Sequence, residues 1–229
     1  MDWTVSTDRG NRIYQNGARR YVSVTSYLKV VDSEGLDWWR GEVGNDEADR
    51  IRDDSGRIGG YLHDCAHELH LQAMHGGDVK FLPATLGQIP KRIVDLPKVP
   101  RIDLASLVYE MYSVYQKWFT EYVDCVLGCE ETVWSDSFMY AGTQDLRAVL
   151  KGDVTPSVLD LKTSNGMWKG FAMQTAGYRE ANLERGNKVS RRLVVRISKQ
   201  DLNTPVEVAE YTQHQRDFNG FLAAISLWR

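Results

Sequence analysis

The segment VLDLKTS (158–164) constrains the fold more than any other part of the chain. Val158, Leu159 and Leu161 have the character of a core strand, yet Asp160 and Lys162 interrupt it with opposite charges. Side chains alternate along a strand, so Asp160 and Lys162 share one face, about 7 Å apart along the chain, while Leu161 points the other way. The segment KGDVTP (151–156) reads as a turn between this strand and a strand-like run that ends at Leu150. A hairpin centred near residue 153 sets Asp145 opposite residues 160–162. Two carboxylates and a lysine then converge from adjacent strands.

Two readings fit that convergence. One is a cross-strand salt bridge, in which Asp145 or Asp160 neutralises Lys162; buried pairs of this kind only break even against apolar replacements. The other is a site for a hard divalent cation, which takes oxygen ligands from anchored carboxylates and from the Leu161 carbonyl, with water and phosphate completing the shell. Lys162 beside it orients or deprotonates a water and stabilises negative charge at phosphorus.

The rest of the chain reads as α/β. RIYQNGARRYVSV (12–24) is a hairpin about Asn16-Gly17. Helices are expected over Ser26–Arg40 and Arg57–His75, the second stopped by Gly76-Gly77, and the proline-bearing stretch 78–104 reads as an irregular connection. Leu104–Leu127 has the pattern of a long amphipathic helix, with Leu107, Met111, Val114, Trp118 and Tyr122 on one stripe. ETVWSDSFMYAGTQDLRAVL (131–150) reads as strands, FAMQTAGYREANLERG (171–186) as a helix closed by Gly186, RRLVVRIS and VEVAEY as two further strands, and Gln213–Trp228 as a last helix.

With 229 residues, 42% of them hydrophobic, the chain buries one core and is expected to form a single domain over 1–229. Residues 1–104 supply an N-terminal hairpin and helical part, and 105–229 the core. A net charge of −3 gives no global pull toward nucleic acid or membrane. Locally, Arg185, Lys188, Arg191, Arg192, Arg196 and Lys199 occur with no acid among them, which reads either as a basic stripe or as a solvated strand edge. Three cysteines, Cys65, Cys125 and Cys129, point to a reducing compartment, and the last two, four apart at a helix end, lack the second pair that a zinc or iron–sulfur site requires. The N-terminus has no apolar signal core and the chain no run of about 18 apolar residues, so a cytosolic protein with no membrane association is expected.

AGTQD (141–145), LDLKTS (159–164) and QTAGY (174–178) together resemble the RecB-type branch of the PD-(D/E)XK nuclease superfamily, with its Gly-Thr-x-Asp strand, Asp-x-Lys-Thr strand and Gln-x-x-x-Tyr helix. Gly59 and His63 in GGYLHDCAHEL (59–69) are similar to that branch's upstream Gly-x-x-x-His helix, and Glu130 and Val133 to its Glu-x-x-Val step. NGARRYVSVTSYL (16–28) and FNGFLAAISLW (218–228) resemble the two ends of small phage-type and mitochondrial-type exonucleases of the branch.

The resemblance implies a restriction-endonuclease-like core with a mixed central sheet flanked by helices. It implies Asp145, Asp160 and the Leu161 carbonyl as ligands of one or two Mg²⁺ or Mn²⁺ ions, His63 as an additional ligand and Lys162 as the catalytic lysine. Glu130 joins the catalytic set, with the neighbouring Glu131 an equal match. Gln174 and Tyr178 would position a DNA phosphate or the attacking water, and Arg191 and Arg192 would contact DNA. The four-cysteine iron–sulfur cluster of some relatives is excluded, because no cysteine follows Cys129. The expected activity is a metal-dependent DNA exonuclease that leaves 5′-phosphates, acting in recombination, repair or phage DNA metabolism in a bacterial or phage-infected cytosol. Its partners would be single- or double-stranded DNA, further copies of itself in a ring, and a single-strand-binding or recombination protein. The alternatives are a structure- or site-selective endonuclease of the same fold and a DNA-binding module that does not cut. The competing zinc-hydrolase reading of His63 and His67 is weaker: Asp64 is one methylene shorter than the Glu such a helix uses, and His70 lies two turns on.

Overall fold

The computed structural model describes residues 3–31, 33–99, 101–201 and 206–228. Strands β1 (Thr4–Asp8), β2 (Asn11–Asn16) and β3 (Arg19–Ser23) form an antiparallel N-terminal ribbon. Its second turn is Gly17-Ala18, with Gly17 at φ 57, the left-handed conformation a two-residue hairpin needs. Ser23 then caps helix α1 (Val24–Tyr27) by accepting a hydrogen bond from the Ser26 N–H. The single helix expected over Ser26–Arg40 is instead α1, a short 3₁₀ turn and α2 (Ser33–Val43).

Helix α3 runs from Asn45 to Met74, well upstream of the expected start at Arg57. The acid-rich stretch is helical because its charges alternate in sign at helical spacing: Arg50 pairs with Glu47 at 2.7 Å and Arg52 with Asp49 at 2.9 Å. Asp54 on this helix is buried, and Arg92 reaches it at 2.7 Å from the proline-bearing stretch. That contact ties residues 78–104 to α3. The stretch itself holds a 3₁₀ turn and a small ladder of β4 (Ile93–Val94) with β5 (Ile102–Asp103).

Helix α4 (Leu104–Tyr122) is capped by Asp103, which accepts from the Ser106 N–H at 3.2 Å. It ends five residues sooner than its apolar pattern suggests. Val123 is already extended at φ −89 and ψ 129, and Val123–Ser135 is strand β6. Residues 123–127 contain Val, Cys and Val, which fit a pleated surface, and they pair with the far end of β7 (Tyr140–Leu150). Cys125 and Cys129 therefore lie on a strand and not at a helix end. After β7 come β8 (Ser157–Lys162), α5 (Lys169–Glu184), β9 (Arg191–Ile197), β10 (Val206–Glu210) and α6 (His214–Trp228).

The chain is α/β, with a mixed central sheet flanked by helices. Pairs β3–β7 and β8–β9 are parallel and the other pairs antiparallel, in the order β1-β2-β3-β7-β8-β9-β10 with β6 also on β7. Leu146, Leu159, Leu161, Leu193 and Val195 pack with Leu62 and Leu69 of α3 and Leu107 and Met111 of α4. Val158 packs with Ala176 and Tyr178 of α5 and Phe221 of α6. Among the described residues no helix is long and apolar enough to cross a membrane.

One feature of this sheet leaves part of the β7 edge without a partner strand. Tyr140 and Ala141 pair with β6 on one edge of β7 and with β3 on the other, while Leu146–Ala148 pair with β6 on the first edge and with β8 on the second. Strands β3 and β8 thus share an edge of β7, separated by Gly142–Asp145. The sheet opens over those four residues.

The arginines of β9 correct the expected DNA contacts. Arg192 has no exposed surface; it donates to the Ala172 and Tyr211 carbonyls and pairs with Asp217 of α6 at 2.7 Å. Arg191 is spent on Asp153 and Glu210, at 2.7 and 2.8 Å, and Arg196 on Glu207 at 2.7 Å. These residues read as a basic stripe only because their acidic partners come from elsewhere in the sequence. Breaking a buried pair from one side strands the other charge, so Arg192→Met should lower the unfolding free energy by about 3 kcal/mol. A urea titration checks this, and a DNA-binding defect without a stability loss would reverse the assignment.

Candidate metal centre

The side chains of interest meet where the β7–β8 ladder comes apart. The last paired residues are Leu146 and Leu159; one step on, Asp145 and Asp160 stand across the opening. There the Leu161 N–H, freed from the ladder, donates to Asp145 Oδ2 at 2.7 Å. The N–H and C=O of a strand residue point to the same side. The Leu161 carbonyl therefore faces the opening too, while its side chain stays buried.

Asp160 is 1% exposed. Its Oδ1 accepts from Gln174 Nε2 at 3.0 Å, and Lys162 Nζ lies 2.5 Å from Oδ2. Lys162 is thus the charged partner of the buried Oδ2. Burial pushes the Asp160 pKa up, Lys162 pulls it down and Asp145 pushes it up again. For Lys162, burial acts to lower the pKa, but Asp160 and Asp145 outweigh it, and the ammonium form is favoured.

His63 enters from α3, with Nδ1 at 3.6 Å from Asp145 Oδ2. Its approach depends on Gly59, one turn earlier: a Cβ there would stand 2.9 Å from Thr163 Oγ1, so the bare backbone lets α3 lie close to the end of β8. Glu130 enters from β6, at the position that continues the register opposite Asp145. Its backbone is left-handed at φ 48, a conformation that costs a non-glycine residue about 1–2 kcal/mol. Atoms of His63, Glu130 and Asp145 lie within 4.8 Å of one another, a spacing that suits one shared ion. Desolvation by the surrounding protein, then the Asp145 charge, pushes the Glu130 carboxyl up to about 7 against the pull of His63 and Arg12. The grouped side chains, one imidazole and two carboxylates, offer nitrogen and oxygen donors and no thiolate.

Glu130 and Glu131 point in different directions. Glu131 points to the other face of β6, where it accepts from Gln144 at 2.8 Å and from Arg147 Nε at 3.0 Å. Gln174 and Tyr178 correct a different expectation. Both are buried, and Gln174 Nε2 bridges Asp160 to the Tyr178 hydroxyl, at 3.0 and 3.1 Å, so they hold the carboxylate from behind and do not face a phosphate. Tyr178 in turn packs on Gly142, where a Cβ would fall 2.5 Å from its Cε1. Gly142→Ala should therefore destabilise the fold by about 1–3 kcal/mol, a shift read from the urea midpoint. His70 plays no part: it is buried against the Tyr115 hydroxyl at 2.7 Å, and burial drives its pKa down to about 3. Among the described residues His67 joins no metal-binding group either.

Sequence reasoning missed Arg12. It is exposed at the start of β2, its guanidinium lies over the Tyr14 ring at 5.1 Å, and its charge is felt at Glu130. Among the described residues no carboxylate pairs with it, which leaves an unpaired cation close enough to act on Glu130. Arg19 and Arg20 in the same ribbon pair with Asp136 and Asp8. Nothing in the local sequence separates Arg12 from those two. No protein-family model matches the chain, and no curated protein matches it.

Proposed function

We propose that this protein is a metal-dependent DNA nuclease built on a restriction-endonuclease-like core, acting as an exonuclease. The observation that carries the reading is the group His63, Glu130 and Asp145, with ligand atoms within 4.8 Å of one another, set beside the buried Asp160–Lys162 pair at a gap in the sheet. A salt bridge alone does not account for this arrangement, because one lysine faces two carboxylates, with a third carboxylate and an imidazole close by. When bound, Mg²⁺ or Mn²⁺ would polarise the phosphate and lower the pKa of a water.

The residues divide the remaining work. Asp145, Glu130, His63, Asp160 and the Leu161 carbonyl would hold the ion. The Leu161 N–H fixes Asp145, and Gln174 fixes Asp160, so neither carboxylate has to reorganise during the reaction. Lys162 rests as an ammonium, so it is suited to stabilising the charge that builds on the phosphoryl oxygens and to giving a proton to the departing oxygen, and not to taking one from the attacking water. Arg12 would engage a neighbouring phosphate of the strand.

A time course on end-labelled linear duplex, single-stranded and covalently closed circular DNA, with Mg²⁺ or Mn²⁺, tests the proposal. Release of mononucleotides from linear substrates alone is the expected result. Cutting of closed circles would make the enzyme an endonuclease, and no cutting under any condition would refute the nuclease assignment.

A further inference from the structure

Beyond β8 the chain forms a short acid-free loop, Thr163–Met167, and re-enters a helix at α5 with Trp168 as its N-cap residue. Trp168 is 52% exposed. Two other exposed aromatic residues have ring partners, Tyr122 on Trp118 at 5.8 Å and Phe138 on Phe218 at 5.4 Å, whereas exposed Trp38 and Tyr109 have none among the described residues. Trp168 has no ring partner among the described residues. Its position explains why that matters. The Phe171 N–H closes the first turn of α5 on the Trp168 carbonyl at 3.1 Å, and the Phe171 ring carries Lys162 Nζ at 5.3 Å from its centroid. Trp168 thus stands one turn of chain before the residue whose ring carries Lys162. Next to it, Lys169 is exposed, and no carboxylate pairs with it among the described residues.

We infer that Trp168 is a stacking platform for an unpaired nucleobase, which makes single-stranded DNA, or the frayed end of a duplex, the preferred substrate of this site. The inference rests on the nuclease reading for its substrate class. An indole face offers a planar, sequence-tolerant surface that every base can use, and only a base released from its duplex partner stack can lie on it. Lys169, next to it in the chain, suits the phosphate of the same nucleotide, and Arg12, whose charge is felt at Glu130, suits a phosphate near that carboxylate. A paired duplex gains from the two cations but not from the indole.

The test measures binding separately from cutting. Fluorescence anisotropy with labelled oligothymidine, an abasic strand of the same length and a blunt duplex, all in Ca²⁺ to suppress turnover, is compared for wild type, Trp168→Ala and Trp168→Phe. Trp168→Ala should weaken oligothymidine binding about tenfold or more, with Trp168→Phe recovering most of the loss. The abasic strand and the duplex should bind all three proteins alike. Equal oligothymidine affinity for wild type and Trp168→Ala would overturn the platform, as would a parallel loss on the duplex. Trp168-dependent binding without any cleavage in Mg²⁺ or Mn²⁺ would sink the nuclease reading and leave the platform standing. Cleavage of single strands at an unchanged KM in Trp168→Ala would do the reverse.

Discussion

Lys162→Met should reduce DNA cleavage by about 10³-fold or more, measured as acid-soluble product in Mg²⁺. The lysine is the cation nearest the carboxylates, 2.5 Å from Asp160, and methionine keeps its bulk but removes its charge. The same change should weaken the metal-free fold by about 3 kcal/mol at alkaline pH, because it leaves Asp160 charged, buried and unpaired. Its pH dependence has a definite sign. Burial already raises the Asp160 pKa, and loss of Lys162 removes the main influence lowering it. A carboxyl raised in the folded state contributes stability that is intact below its unfolded pKa, about 4, and lost as pH rises through the folded value. The stability deficit should therefore shrink as pH falls toward 4, and urea midpoints at acid and alkaline pH would show it. A variant that cuts DNA at the wild-type rate would eliminate the proposed chemistry.

Divalent cations should stabilise the wild-type protein strongly at alkaline pH and weakly at acid pH. Burial raises Asp160, and desolvation with the Asp145 charge raises Glu130 to about 7. Both groups favour the protonated form in the metal-free fold, so its stability declines as pH climbs from the ordinary carboxylate range through about 7. A cation requires the same groups without their protons, so its affinity rises over that window. At 100-fold excess over Kd, ligand linkage supplies about 2.7 kcal/mol, which for a chain of this size raises Tm by about 5–10 °C. Thermal unfolding with Mn²⁺ against a chelator, at several pH values, measures the difference. An equal shift at every pH, or an undiminished shift in Asp145→Asn, would place the cation elsewhere.

The parts of this centre that the sequence revealed are those that depend on local period. Alternation alone put Asp160 and Lys162 on one face, and the KGDVTP turn put Asp145 across from Asp160. Elements whose boundaries depend on distant partners were harder to read. Val123–Leu127 continues the apolar pattern of α4, but pairing with the end of β7 draws it into a strand. The choice between Glu130 and Glu131 rests on one left-handed residue, which no spacing rule reveals. Arg192 looks like a surface cation beside Arg191 until Asp217, from the last helix, is brought against it. Gln174 and Tyr178 were found as a pair one turn apart, but the face they share looks inward at Asp160.

The edge of β7 that β3 and β8 divide between them has a consequence for when activity can arise. Val22 must reach Tyr140 on one side of the gap, and Leu159 must reach Leu146 on the other, before the opening has two walls. The first of these contacts closes a long stretch of chain, which makes it slow and entropically demanding. His63, Glu130 and Asp160 likewise come from three separate regions that meet only in the finished sheet. A nascent or partly folded chain therefore holds no assembled centre, and on the proposed nuclease function no cutting can begin until folding is complete.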